Sequence, residues 1–325
     1  MRIKRCWLPC LGMLLVTLPA PAATPGFDAA AFDAAVAKVM QDWRVPGLAV
    51  AVVNRDGVIH LRGYGTREWG RDQPVDADTI FAVGSNGKSF TSVLLGALVD
   101  QQRLRLNDPI GRYLPAFRMA DPYATAHVTF EDALGHLSGL PEQSGLTAWY
   151  LFGLDRREMI ALVAGMPLAT SLRGGFAYNN TMFTVAGEAA AALTGLDYDE
   201  AIRRYLTTPL GLSRTTTTLA ITRTDANVAR PHAFAAGVPV PVPYHDVTGA
   251  APAGSANSTA RDMARYVRMW LNDGSLDGTR VLAPETAAAV QRLRRTLAPG
   301  EMPHIRQLFG ALVDPALAQD LLSLA

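Results

Sequence analysis

The chain is 325 residues long, 49% hydrophobic and 18% charged, with 28 glycines and 21 prolines. That composition excludes a disordered or collagenous chain, and the length allows a core that needs no staples. The formal charge of +1 offers no basic surface for nucleic acid.

The first 22 residues read as a secretory signal peptide. Arg2, Lys4 and Arg5 form a basic start, Leu8 to Leu18 is mostly apolar, and Ala20-Pro21-Ala22 supplies the small residues of a cleavage site. The apolar stretch is too short to span a bilayer comfortably, and no later run reaches that length, so no stable membrane span is expected after cleavage. An exported protein, periplasmic or secreted from a bacterium, is the expectation. Both cysteines, Cys6 and Cys10, fall inside this segment, so the mature chain has no disulfide, thiolate metal site or cysteine nucleophile. Removing the segment also takes away three basic residues and leaves a net charge of −2.

Phe27 to Trp43 has helical periodicity, with Phe32, Val36, Val39 and Met40 on one face, and Pro46-Gly47 ends it. Leu48 to Val53 and Val58 to Tyr64 read as strands joined by the turn Asn54-Arg55-Asp56-Gly57. Thr79 to Val83 reads as a third, short strand. Ser89 to Val99 is apolar nearly all round and predicts a buried helix. From Asp108 to about residue 235 helical segments alternate with Gly/Pro breaks. Val238 to Pro243 carries proline at alternate positions and must be extended. Thr259 to Leu271 predicts a last helix, with Ser258 or Thr259 at its cap.

The chemistry concentrates in Gly84-Ser85-Asn86-Gly87-Lys88, where a strand meets the buried helix. Residues three apart on a helix share a face, so Ser85 and Lys88 can meet. A serine at a helix start also gains free backbone N–H groups and the helix dipole. A hydroxyl becomes a nucleophile when a base takes its proton, and a lysine serves if burial lowers its pKa. Only Lys4, Lys38 and Lys88 are lysines, against 27 arginines. Arginine cannot give up its proton, so a lysine beside Ser85 is a pointed choice.

The segment from Phe81 to Thr91 resembles the nucleophile segment of class C β-lactamases and their relatives, the penicillin-binding DD-peptidases, D-aminopeptidases and β-lactamase-like esterases. Further likenesses follow in the same order: Asn107-Asp108-Pro109-Ile110 with Tyr113-Leu114-Pro115, Val128-Thr129-Phe130 with Leu134 to Leu140, Tyr178-Asn179-Asn180, Pro209 to Leu212, and Asn257 to Met263. The resemblance covers most of residues 27 to 300. It implies an α/β (α+β) fold of the β-lactamase/transpeptidase type, an antiparallel sheet with flanking helices. The α/β part would comprise residues 23–84 and 245–325, with an inserted all-helical region over 85–244. It implies that Tyr178 shares proton transfer with Lys88 and that Asn180 helps bind the substrate amide. His136 lies in the family's structural loop beside the site and is read as structural. The other mature histidines lack metal-ligand spacing; no metal and no cofactor are predicted.

The family's third motif, Lys- or His-x-Gly, has no counterpart after Tyr178. The closing strands and final helix of the α/β part would fall beyond Ala325, which predicts missing sheet strands, with Pro315 to Leu324 as a short covering helix. The expected activity is acyl transfer from Ser85 to water on a β-lactam, a D-amino-acid peptide or an ester, cell-wall material included. Two other readings stand beside it. One is a disabled or cell-wall peptide-binding relative. The other is a nucleotide binder, since Ala82 to Ser89 differs from a phosphate-binding loop only at Ala82, where that pattern requires glycine.

Overall fold

The computed structural model describes residues 26–292. The signal peptide expected over residues 1–22 and the tail helix expected over Pro315 to Leu324 lie outside the described residues.

Helix α1 spans Ala29–Trp43. Asp28 lies outside the helix and caps it: its carboxylate accepts from the amides of Ala30 and Ala31. Arg44, in the left-handed conformation, closes the other end. Of the expected apolar face, Phe32, Val36 and Met40 are half-buried, whereas Val39 is 51% exposed. Strands β1 (Gly47–Val53) and β2 (Val58–Gly65) form an antiparallel ribbon with Leu48 opposite Tyr64 and Val50 opposite Arg62. Asn54 closes the turn, accepting the Gly57 amide on its side chain while its own amide donates to the Gly57 carbonyl.

The third strand is shorter than expected. Strand β3 is Phe81–Ala82 alone, paired with Asn257–Ser258. Ile80 is drawn to another partner: its amide donates to the Asn227 carbonyl, and its carbonyl accepts from Ala229. Every sheet among the described residues is a two-stranded ribbon.

After β3 the chain turns through Gly84 at φ +53 into a 3₁₀ turn, Gly84–Gly87, and then into helix α2, Lys88–Asp100. A glycine meets that φ without strain. Gly87 answers a different need, because a Cβ there would stand 2.9 Å from the Ala256 side chain. Helix α2 is the centre of the core. Phe90, Leu94, Leu95 and Leu98 have no exposed surface, each worth roughly 1.5–3 kcal/mol of burial.

Two small-residue elements close around α2. The helix Asn180–Thr194 packs along it, and the short helix Ala251–Gly254 wedges between the two and the Gly84–Gly87 turn. Gly187 permits this approach, since a Cβ would lie 2.5 Å from Pro252. Thr91, fully buried on α2, donates to the Pro252 carbonyl at 2.7 Å and meets the Tyr198 hydroxyl at 2.8 Å. These bonds fix the face of α2 from which Lys88 emerges.

The helix Ala260–Leu271 starts at Thr259, whose hydroxyl accepts from the Asp262 amide, and it packs over β1 and β2. One expectation is corrected. The region 85–244 is not all helical, because His232–Ala235 and Val238–Pro241 pair as an antiparallel hairpin. Pro239 and Pro241 forbid helix, and a ribbon of only two strands tolerates residues that cannot donate to a further neighbour.

Candidate active site

Ser85 sits exposed in the turn that starts α2, and Lys88 follows one turn later on the same face but buried. Lys88 Nζ donates to Ser85 Oγ at 3.1 Å, to Asn180 Oδ1 at 2.7 Å and to the Ala253 carbonyl at 2.8 Å. Its charge is flanked by the rings of Tyr178, 4.7 Å from the centroid, and Phe183, 5.4 Å away. Burial pushes the Lys88 ammonium down from the ordinary 10.5 to about 7. A lysine so placed changes protonation state near neutrality.

The three contacts also orient Lys88. The oxygens of Asn180 and Ala253 accept two of its N–H bonds, which leaves one tetrahedral direction aimed at Ser85 Oγ. In the ammonium that direction carries a proton; in the free amine it carries the lone pair. The nucleophile–base geometry is therefore set by two fixed carbonyl oxygens.

Tyr178 and Asn180 arrive from the start of the helix Asn180–Thr194. Asn179 between them is fully buried and caps that helix, accepting from the Met182 amide at 2.9 Å. Its Nδ2 donates to Ser144 Oγ at 2.6 Å and to the Pro141 carbonyl at 3.2 Å. With the middle residue locked, its neighbours project to the site. Tyr178 Oη donates to Ser85 Oγ at 2.8 Å. Asn180 holds Lys88 with its oxygen and donates from Nδ2 to Gln143 Oε1 at 3.2 Å. Of the four residues expected from the sequence, Lys88 and Tyr178 thus meet at Ser85 Oγ, and Asn180 joins them through the lysine, which its carboxamide oxygen holds.

Sequence reasoning missed Gln143. Its amide donates to the Tyr178 carbonyl at 2.9 Å, its Oε1 accepts from Asn180 Nδ2, and its φ is +54. A glutamine in a loop carries no pattern, and only the left-handed backbone would have marked it.

A cleft of about 510 Å³ opens at the site, lined by Ser85, Asn86, Lys88, Ser89, Ser92 and Trp270 among others. A larger cleft of about 750 Å³, beside Arg156 and Glu188, lies on another face and contains none of these four residues. The nucleotide reading fails on geometry. Lys88 is turned into the core and holds three protein acceptors, and β3 pairs antiparallel with Asn257–Ser258 where a phosphate-binding fold uses a parallel sheet.

The family model described as Beta-lactamase matches residues 32–303. Penicillin-binding protein 4 of Amycolatopsis lactamdurans is 32% identical over 277 residues, which cover 82% of this chain and 70% of that protein. An unguisins hydrolase of Aspergillus campestris is 28% identical over 84% of this chain, and the match spans 52% of its length. Among solved structures, the octameric penicillin-binding protein homologue from Pyrococcus abyssi matches with a TM-score of 0.71 at 24% identity, over 80% of this chain and 59% of that one.

Proposed function

The chain belongs to the β-lactamase family, and from that premise we propose that it is a serine hydrolase working through an acyl-enzyme on Ser85. One observation carries the reading: Ser85 Oγ is met by Lys88 Nζ at 3.1 Å and by Tyr178 Oη at 2.8 Å. A hydroxyl touched by two proton-transfer groups, one of them a lysine held near neutrality by burial, is an activated nucleophile.

The steps follow from that geometry. Lys88 as the free amine takes the Ser85 proton along the direction its other two contacts leave open. Ser85 Oγ attacks the acyl carbon, and the developing oxyanion is drawn to the Ser85 amide at the head of the turn. As the oxyanion collapses, the bond from the acyl carbon to the leaving amine or alkoxide breaks and Tyr178 passes a proton to that leaving group. The Lys88 ammonium recharges Tyr178, and the acyl group is left esterified on Ser85 Oγ. Water, deprotonated by the same pair, then attacks the ester and restores Ser85. The Gln143 carboxamide, whose oxygen accepts from Asn180 Nδ2 at 3.2 Å, keeps its own N–H groups to offer a substrate carbonyl.

The family and the relatives' names point to β-lactams, D-amino-acid peptides and related amides or esters, cell-wall material among them. A signal over residues 1–22 would put this chemistry outside the cytoplasm. The test is a panel comprising a chromogenic cephalosporin, a D-alanyl anilide and a p-nitrophenyl ester, run on the parent and on Ser85→Ala. Turnover of at least one compound, lost by about 10⁴-fold or more in the variant, supports the reading. Turnover undiminished in Ser85→Ala, or a folded parent inert to all three, overturns it.

A further inference from the structure

We propose that His136 is a positioning residue for proton transfer, gripping the backbone on both sides of Tyr178 so that the phenol stays on Ser85 Oγ. The inference rests on the hydrolase reading of that site. The His136 carbonyl accepts from the Ala177 amide at 3.0 Å, and its Nδ1 accepts from the Asn179 amide at 3.0 Å. Tyr178 is therefore bracketed by two bonds to a single residue, and its own carbonyl is held by the Gln143 amide at 2.9 Å. The imidazole also lies against the phenol ring, with centroids 4.5 Å apart, and against Phe183 at 5.2 Å and Phe176 at 5.4 Å.

Three features separate this from a histidine that merely fills space. His136 is only 9% exposed and sits at φ +58, a conformation uncommon for residues other than glycine. Such an outlier persists only where its surroundings hold it. Next, acceptance at Nδ1 requires a neutral ring with its proton on Nε2. Burial first, and the charge of Lys88 second, hold the imidazole down to about 4, so the acceptor survives throughout the range in which Lys88 titrates. Finally, the bonds to residues 177 and 179 restrain the one residue whose hydroxyl must stay within 2.8 Å of Ser85 Oγ. A displacement of about 1 Å at such a point is enough to cost on the order of 10² in rate.

The chemistry names the variants. In His136→Asn the amide oxygen takes the place of Nδ1, and asparagine tolerates a positive φ. His136→Leu keeps apolar bulk and removes the acceptor. We expect His136→Asn to hold kcat within about 3-fold of the parent and His136→Leu to lose about 10²-fold in kcat with KM nearly unchanged. In a Tyr178→Phe background the His136→Leu change should add nothing, because a residue acting through the Tyr178 hydroxyl has no further effect once that hydroxyl is gone. If His136→Leu does not fold, His136→Ala enters the same cycle.

Full additivity with Tyr178→Phe, wild-type kcat in the leucine variant, or a leucine-like loss in His136→Asn would overturn the proposal. So would failure of both apolar variants to fold, which would make the role structural alone. A parent without Ser85-dependent turnover would instead remove the hydrolase reading, and this inference with it. The two failures are told apart by the parent's own activity.

Discussion

Replacing Lys88 by methionine should remove one pH-dependent component of the fold's stability while abolishing activity. Lys88 is buried, and its pKa stands at about 7 in the folded protein against 10.5 ordinarily. Below pH 7 both folded and unfolded chains carry the proton, and the fold bears the full cost of a buried ammonium. Between 7 and 10.5 the unfolded chain keeps the proton that the folded chain has shed. Stability therefore rises with pH across this window, by about 1.4 kcal/mol per pH unit at its steepest. From about pH 6 to about pH 9.5 the integrated gain is on the order of 3 kcal/mol. Methionine is similar in length and cannot titrate, so this component should vanish. The variant also leaves Asn180 Oδ1 and the Ala253 carbonyl without their donor, at about 1–3 kcal/mol each. The informative quantity is accordingly the difference in pH dependence, not the stability at any one pH. Urea unfolding of parent and variant at both pH values measures it, and the raised tyrosines common to both proteins cancel. Parallel pH dependence in the two would refute the claim that Lys88 is held near neutrality by burial.

Other outcomes follow from the same geometry. For the parent, kcat/KM should rise with pH through about 7 as Lys88 becomes the free amine, and a flat profile between about pH 6 and 8 would argue for another base. Asn180→Asp places a carboxylate where the amide oxygen lies 2.7 Å from Lys88 Nζ; the midpoint should move up by at least about one unit, checked on the same rate profile. Tyr178→Phe removes the second partner of Ser85 Oγ and should lower kcat by about 10²–10⁴ with little change in KM, measured by steady-state kinetics. Asn179→Ala deletes a helix cap and the two bonds of Nδ2 to Ser144 and Pro141 in a fully buried setting. A loss of about 2–4 kcal/mol in urea unfolding is expected, and a loss below about 1 would contradict the capping role.

Local rules make part of this protein legible. Ser85 and Lys88 are three residues apart at a strand–helix junction, so their meeting needs only helical geometry. With only three lysines in the chain, the one beside Ser85 stands out by its position. The β1–β2 hairpin and the helix ending at Leu271 are readable from turn and cap residues. Tyr178 is not, because it reaches Ser85 across 93 residues of chain, and a Tyr-x-Asn triplet has no local signature; the family resemblance supplies it. Gln143 and His136 depend on left-handed backbone at non-glycine positions, which sequence patterns do not encode. Strand β3 is shorter than its apolar run suggests because Ile80, fully buried, bonds to Asn227 and Ala229 on a different segment. The hairpin at His232–Pro241 is half visible, since its prolines demand extension but name no partner.

The central claim is that Ser85 is acylated. Parent protein and the Ser85→Ala variant, both shown to be folded by circular dichroism, would be treated with a reactive acylating probe such as a β-lactam or a p-nitrophenyl ester and weighed intact, with peptide mapping of any adduct. One adduct on the parent, mapped to Ser85 and absent from the variant, is the predicted result. An adduct on another residue, an equal adduct on the variant, or no adduct on the folded parent would contradict the account.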